Sequence, residues 1–433
     1  MQIIEHPDRE QWPDLLNRPV MEQDKINSVV KPILHAVKKE GDKAVQRYIK
    51  QFDGESTGPI QISKKEILDS QNNLSEPLKR AIHLASSNIK KFHQAQRFKV
   101  QKIETWPGVS CWHKQLPIEK VGLYIPGGSA PLFSTLLMLG IPAQIAGCSE
   151  IVVCTPSNKD GSIHPAILYA AEVVGLEKVY QAGGAQAIAA MAYGTETIPK
   201  VYKIFGPGNQ YVTAAKQLVS LEGVAIDLPA GPSEVAVLAD DTADPDFVAS
   251  DLLSQAEHGA DSQVILVSNS KRLIEKVQNS IDIQLNSLSR KETAAQALKN
   301  SKAFLIYDLE DGMDLINTYA PEHLILNLKN VKPAVDKVMN AGSVFIGPFT
   351  PESAGDYASG TNHTLPTNGY ALNYSGVSLD SFMKRVTFQQ ISRKGLKEIG
   401  WAIQEMAEAE TLTAHKNSIS IRLDKSNGEN SDE

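Results

Sequence analysis

Cysteine is scarce: Cys111, Cys148 and Cys154 are the three in 433 residues, an odd number with no Cys-x-x-Cys spacing. That argues against a disulfide framework and a thiolate zinc site, and leaves reduced, mostly buried thiols as the expectation. A thiol that adds to an aldehyde is one sharper use, but Cys154 ends the apolar run IVVC and reads as strand core. Positive charge is not in excess either. Lys and Arg number 43 against 50 Asp and Glu, a formal net charge of −7, which argues against nucleic acid or an anionic membrane as partner, since both are negative themselves. No long unbroken apolar run occurs. The nearest, Pro131 to Cys148, is interrupted by Ser134, Thr135, Gly140, Pro142 and Gln144 and suits a buried helix. The opening MQIIEHPDRE has no basic segment followed by an apolar core, so no signal peptide is expected and a cytoplasmic location follows. A G-x-G-x-x-G fingerprint is missing too, so no motif declares a dinucleotide site.

What is present is an ordinary soluble composition, 42% hydrophobic and 21% charged, in a chain long enough for two or three domains. Residues 1–25 are polar, with Pro7, Pro13 and Pro19, and read as an arm or small helical cap. From Val29 to Val100 the apolar residues recur at helical spacing, and His83 and His93 are expected as surface histidines on those helices. After Val121 short β-branched runs ending in Gly or Pro (VGLYIPGG, EIVVCTP, KVYQAGG, KVYKIFGPGN, VAIDLPAGP, VAVLAD) alternate with helical stretches. That rhythm predicts parallel α/β architecture, with ligands beyond the carboxyl ends of the strands. The turns then locate the site: Tyr124 with Gly127 to Ser129, Gly183 to Gln186, Gly206 to Asn209, and Gly231 to Ser233. Asn209 and Gln186 suit a nicotinamide or ribose and Tyr124 a ring, though spacing alone does not say so. QVILVS, KAFLIYD, HLILNL and GSVFIG continue the pattern as a second unit resembling the first, and from Ser381 the chain is expected to be helical. An apolar stripe there suggests docking on a partner chain.

Chemistry gathers in a few places. In DLLSQAEHG, Gln255 and His258 lie three apart and share one helix face, half of a metal site; amide oxygen is a rare zinc ligand, so further donors are required. Glu322 with His323, Asp356 with His363, and Glu410 with His415 are candidates to supply them. Each alone reads as a surface charge or a cap; together they form a set.

YIPGG, FGPGNQYV, LPAGPSE, DLLSQAEHG, APEHL, SAGDYASGTNH with LPT, and AHKN together resemble the histidinol dehydrogenase family over nearly the whole chain. The resemblance implies two incomplete Rossmann-like parallel-sheet domains, a duplication, with an N-terminal arm at 1–25 and a helical tail at 379–433. Residues 26–120 with 233–378 would form a zinc and substrate domain, and 121–232 an NAD-side domain. It implies one Zn²⁺ per subunit on Gln255, His258, Asp356 and His415, and NAD⁺ on Tyr124, Gln186 and Asn209. Ser233, His323, His363 and Glu410, with the metal ligands, would contact L-histidinol, and Glu322 and His323 would be catalytic. Glu410 and His415 would enter a homodimer partner's site. The implied reaction is oxidation of the alcohol through the aldehyde to L-histidine with two NAD⁺ reduced, the last two steps of histidine biosynthesis: His323 suits the base for the alcohol and Glu322 the base for water.

Three rivals stand beside this. A related zinc and NAD dehydrogenase would act on another small hydroxylated substrate such as a sulfonated diol, which Glu410 would repel. A zinc hydrolase would use Glu322 on metal-bound water without NAD⁺. A zinc-stapled dimer would do no chemistry at all.

Overall fold

The computed structural model describes residues 1–19, 23–53, 58–127, 131–229 and 231–428. Gly128 and Ser129 of the YIPGG turn, Ala230 of LPAGP and the end of the SNGENSDE tail lie outside the described residues. The chain divides into two compact units, Met1–Gln96 with Ile118–Phe382, and Arg97–Pro117 with Met383–Glu433. Among the described residues the strands are, in chain order, β1 Gln2–Glu5, β2 Ile103–Trp106, β3 Val109–Pro117, β4 Lys120–Tyr124, β5 Glu150–Thr155, β6 Val179–Gln181, β7 Lys203–Phe205, β8 Ala225–Ile226, β9 Glu234–Ala239, β10 Gln263–Ser268, β11 Lys302–Leu305, β12 His323–Asn327, β13 Ser343–Ile346 and β14 Met383–Ile391.

The first unit holds two parallel sheets, ordered β6-β5-β4-β7-β8 and β1-β11-β10-β9-β12-β13. Each begins at a central strand, β4 or β9, adds two strands to one side and then two to the other. The same doubly wound order therefore occurs twice, as a duplication requires. β9 and β10 are buried along their whole length, which is why VAVLA and QVILV read as unbroken apolar runs rather than alternating ones. No helix among the described residues is long and apolar enough to cross a membrane.

Four local expectations are revised. The N-terminal arm is no loose cap at its start, because Gln2–Glu5 pairs in parallel with β11 and extends the second sheet. The helices Gln23–Glu40, Asp42–Phe52 and Glu76–Gln94, grouped by sequence with 233–378, pack on the five-stranded sheet. Ile26, Val30, Val37 and Ile49 share a core with Ile188 and Val212, and Ile82 and Ile89 share one with Leu136 and Leu139. Helical periodicity gives the apolar face but not the sheet it will cover. His93 is fully buried, its Nδ1 2.9 Å from the Ile89 carbonyl, so it is a core and not a surface histidine. Finally, the chain beyond Ser381 is not wholly helical.

In the second unit Met383–Ile391 pairs antiparallel with β3, which pairs with β2, a three-stranded sheet on which Trp112 and Phe388 stack at 5.5 Å. FMKRVTFQQI offers alternating residues of a half-exposed strand, a pattern easily taken for helix. The helices Arg393–Ala409 and Thr413–Gly428 follow and pack on each other through Gly400, Ile419 and Leu423.

Candidate active site

At the carboxyl ends of the five-stranded sheet a cavity of about 850 Å³ opens, lined by Phe52, Asp53, Tyr124, Gly184, Gln186 and Asn209 among others. Its walls are built by turns that follow β4, β6 and β7, where an open parallel sheet places its ligands. Gly206 has φ +127°, and a Cβ there would fall 2.1 Å from the Tyr124 carbonyl oxygen, so only glycine fits. Its N–H donates to Asp227 at 2.8 Å and its carbonyl accepts from Lys216 at 2.9 Å, while Lys216 and Asp227 pair with each other, both buried. The loop is thereby fixed from below. Gly184 N–H donates to the Tyr124 hydroxyl at 3.2 Å. Asn209 caps the helix Gln210–Ser220, its Oδ1 accepting from the N–H groups of Tyr211 and Val212. Gln186 is buried, with Nε2 lacking a partner. The three residues expected to hold NAD⁺ thus line one cavity, although the structure already employs Tyr124 and Asn209 in holding the turns.

The second cluster stands at the opposite end of its sheet. Glu322 immediately precedes β12, His323 is the first residue of β12, and Ser233 immediately precedes β9, so these groups occupy the amino ends of the strands. The expectation of a site at carboxyl ends fails here for a topological reason. The helix Pro245–Ala256 runs back from β9, so its last turn, with Gln255, returns to where β9 began. His258 lies just past that helix, its N–H bonded to the Gln255 carbonyl. Glu352 and Asp356 come from the short helix Glu352–Tyr357 and, four apart, share one face.

Around His323 the geometry is close. Glu322 Oε2 accepts from the Glu234 N–H at 2.9 Å and from Gln255 Nε2 at 3.2 Å. His323 Nδ1 lies 3.1 Å from the Glu234 carbonyl, which can only accept, so Nδ1 carries hydrogen and Nε2 faces Asp356 at 3.6 Å. Ligand atoms of His258, Glu352 and Asp356 all lie within 4.8 Å of one another. Gln255 Oε1, His323 Nε2 and Glu352 Oε2 are buried without a hydrogen-bond partner. Behind the cluster Arg18 grips buried Glu234 through two hydrogen bonds, of 2.5 and 3.0 Å, and stacks over Tyr319, which anchors the start of β9.

Electrostatics follow from this crowding. Burial pushes the Glu322 carboxyl up to about 7, against the opposing pull of His323. Burial works to depress His323, but Glu352, Glu322 and Asp356 outweigh it and push it up to about 10. Burial would raise Asp356, and the closeness of His323 overrides it and holds the carboxyl below its usual range. One imidazole thus faces three carboxylates, a surplus of negative charge suited to a cation.

His363 joins the two halves: Nδ1 is 2.9 Å from the Asp356 carbonyl and Nε2 3.1 Å from the Thr135 hydroxyl, on the helix Phe133–Ala146 of the five-stranded sheet. Ser233 is half-buried, its carbonyl accepting from Gln263 N–H. Glu410 and His415 belong to the second unit, at the end of one helix and within the next, and both are exposed. Sequence reasoning missed Glu352, Asp53 and the Arg18–Glu234 pair. The i, i+4 spacing of the acids in ESAGD was a legible signal for Glu352; an ion pair across 216 residues left none.

Comparison with known proteins agrees with this geometry. The histidinol dehydrogenase family model matches residues 16–423. The chain belongs to the histidinol dehydrogenase family. Within that family it is 58% identical to the histidinol dehydrogenase of Bacteroides thetaiotaomicron, over 98% of this chain and 99% of the relative, and 50% identical to that of Escherichia coli K12, over 96% and 95%. Among solved structures, the crystal structure of histidinol dehydrogenase from Elizabethkingia anophelis superposes with a TM-score of 0.96 at 54% identity, covering 99% of both chains.

Proposed function

We propose that the chain oxidises L-histidinol through the aldehyde to L-histidine, with two NAD⁺ reduced in turn, and that a Zn²⁺ ion held by Gln255, His258, Asp356 and His415 anchors the substrate. The observation that carries this reading is the pairing of buried Glu322 and His323 beside orphaned donor atoms in an acid-rich pocket. Family membership supplies the reaction.

The donor set fits a divalent cation. Gln255 Oε1 is buried and unpartnered, as a ligand atom without its ion would be, while Gln255 Nε2 is occupied by Glu322. When bound, the ion supplies a positive charge that orients the amine and imidazole nitrogens of histidinol and offsets the surrounding carboxylates. With that charge present His323 no longer needs its second proton, and Nε2 becomes a base. His323 then takes the hydroxyl proton at Nε2 as the carbinol carbon gives up hydride to NAD⁺. Glu322, with Oε2 held by two donors, takes the proton of the water that adds to the aldehyde, giving the hydrate that loses a second hydride. NAD⁺ is assigned to the cavity at Tyr124, Gln186 and Asn209. Ser233, His323, His363 and Glu410 are assigned to the substrate together with the metal ligands. Asp356 and His363, linked through the Asp356 carbonyl, couple the ion's side of the site to the five-stranded sheet. Glu410 and His415, exposed in the second unit, are assigned to the site of a second copy in a homodimer.

The deciding assay counts NADH. Two per histidinol consumed, and none with sulfonated diols, are expected. Turnover without NAD⁺, or preference for a sulfonated diol, would reject the reading in favour of a hydrolase or a related dehydrogenase.

A further inference from the structure

We infer that Glu352 is a further ligand to the ion of this site, so that one chain supplies four donors, Gln255, His258, Glu352 and Asp356. The inference rests on the metal reading above and adds to it. Glu352 is 1% exposed, and its Oε2 has no hydrogen-bond partner. A carboxylate so placed is costly unless something positive meets it, because burial strips its hydration and no N–H replaces it. The nearby protein cation is His323, which is already shared with Glu322 and Asp356. A ligand atom of Glu352 lies within 4.8 Å of one on His258 and one on Asp356, a spread that a single ion at about 2 Å from each would span. The helix Glu352–Tyr357 presents Glu352 and Asp356 on the same face, so ordering one orders the other. Phe345 packs against Gly355 between them, where a Cβ would fall 2.7 Å from the ring, which seats that face against the sheet.

The consequence is that retention of metal and contribution of the tail are separable. A chain with His415 replaced keeps four donors, whereas one lacking Glu352 keeps three. The test uses the full-length protein and measures zinc affinity by chelator competition, together with the visible absorption of the Co²⁺-loaded form. Glu352→Gln is expected to weaken zinc binding by about 10- to 100-fold and to shift the Co²⁺ bands. Glu352→Asp, which retains an anionic oxygen, is expected to fall between it and the native chain. His415→Asn is expected to retain more zinc than Glu352→Gln in the absence of substrate. Without metal, Glu352→Gln should melt no lower than the native chain, since it removes an unpartnered buried carboxylate, whereas a purely structural Glu352 would lower that melting point. Native affinity and native Co²⁺ bands in both Glu352 variants would overturn this inference and leave the metal site standing. A native chain that binds no stoichiometric zinc would overturn both.

Discussion

The two parallel sheets of the first unit share a strand order but use opposite ends. The five-stranded sheet opens a cavity of about 850 Å³ at its carboxyl ends, whereas the six-stranded sheet gathers Glu322, His323 and Ser233 at its amino ends. The first is roomy, with glycine turns and few charges; the second is tight and acidic, with three orphaned buried atoms. Duplicated topology therefore does not duplicate function. A large flat ligand needs shape and backbone access, which turns after strands provide. A small ion with a polar substrate needs converging side chains, which here come from a returning helix, a strand start and a short late helix.

Several substitutions would break or sharpen that contrast. The largest effect is expected at the acidic end. Glu322→Gln should lower overall turnover by about 10²- to 10⁴-fold and stop the reaction at the aldehyde stage, measured as loss of the second NADH. In the native chain kcat/KM should rise with pH through an acid limb at about 7 or below, because a bound cation favours the carboxylate; a limb that survives in Glu322→Gln would reassign the base. Next comes the proposed exchange between copies. His415→Asn and Glu322→Gln chains, each inactive alone, should regain a sizeable fraction of native activity when mixed and allowed to re-pair, and absence of rescue would place His415 in its own chain's site or in none.

At the cavity the effects should be smaller and of another kind. Gln186→Ala should raise KM for NAD⁺ by about tenfold with kcat little changed, the pattern of lost uniform binding; a fall in kcat at constant KM would tie Gln186 to the chemistry. The smallest expected effect concerns Asp53, whose carboxyl is pushed up to about 6, chiefly by burial, while the Gly183 N–H opposes the shift. A folded value raised above the unfolded one means the fold favours the neutral acid. Its contribution is fully present below about 4 and is lost as pH rises through about 6. Asp53→Asn should therefore raise the melting temperature by about 1 to 3 °C at pH 8 and leave it unchanged at pH 4. A gain at both pH values would point to packing instead of charge.

Much of the fold was legible because buried parallel strands leave unbroken apolar runs, as in VAVLA and QVILV, and turns leave Gly and Pro. The ends of strands carried Tyr124, Gln186 and Asn209 for the same reason. Which sheet the helices of 23–94 would cover was not legible, since an amphipathic stripe does not name its partner. Strand β14 was missed because a nine-residue half-exposed strand beside long helices mimics their period. For the metal residues, spacing revealed Gln255 with His258, while their meeting with Asp356 depends on long-range topology. The family resemblance supplied that meeting where residue spacing could not.

Strand β1 has a consequence for synthesis. Gln2 emerges first from the ribosome, yet its partner Lys302 is made 300 residues later. At about 5 to 20 residues per second, the nascent arm waits some 15 to 60 seconds with an unsatisfied backbone edge. The five-stranded sheet, complete by Ile226, has every strand in hand long before then. Assembly thus proceeds from the cavity half outward, and the ion-binding half closes last, when the chain's oldest residues dock beside some of its newer ones.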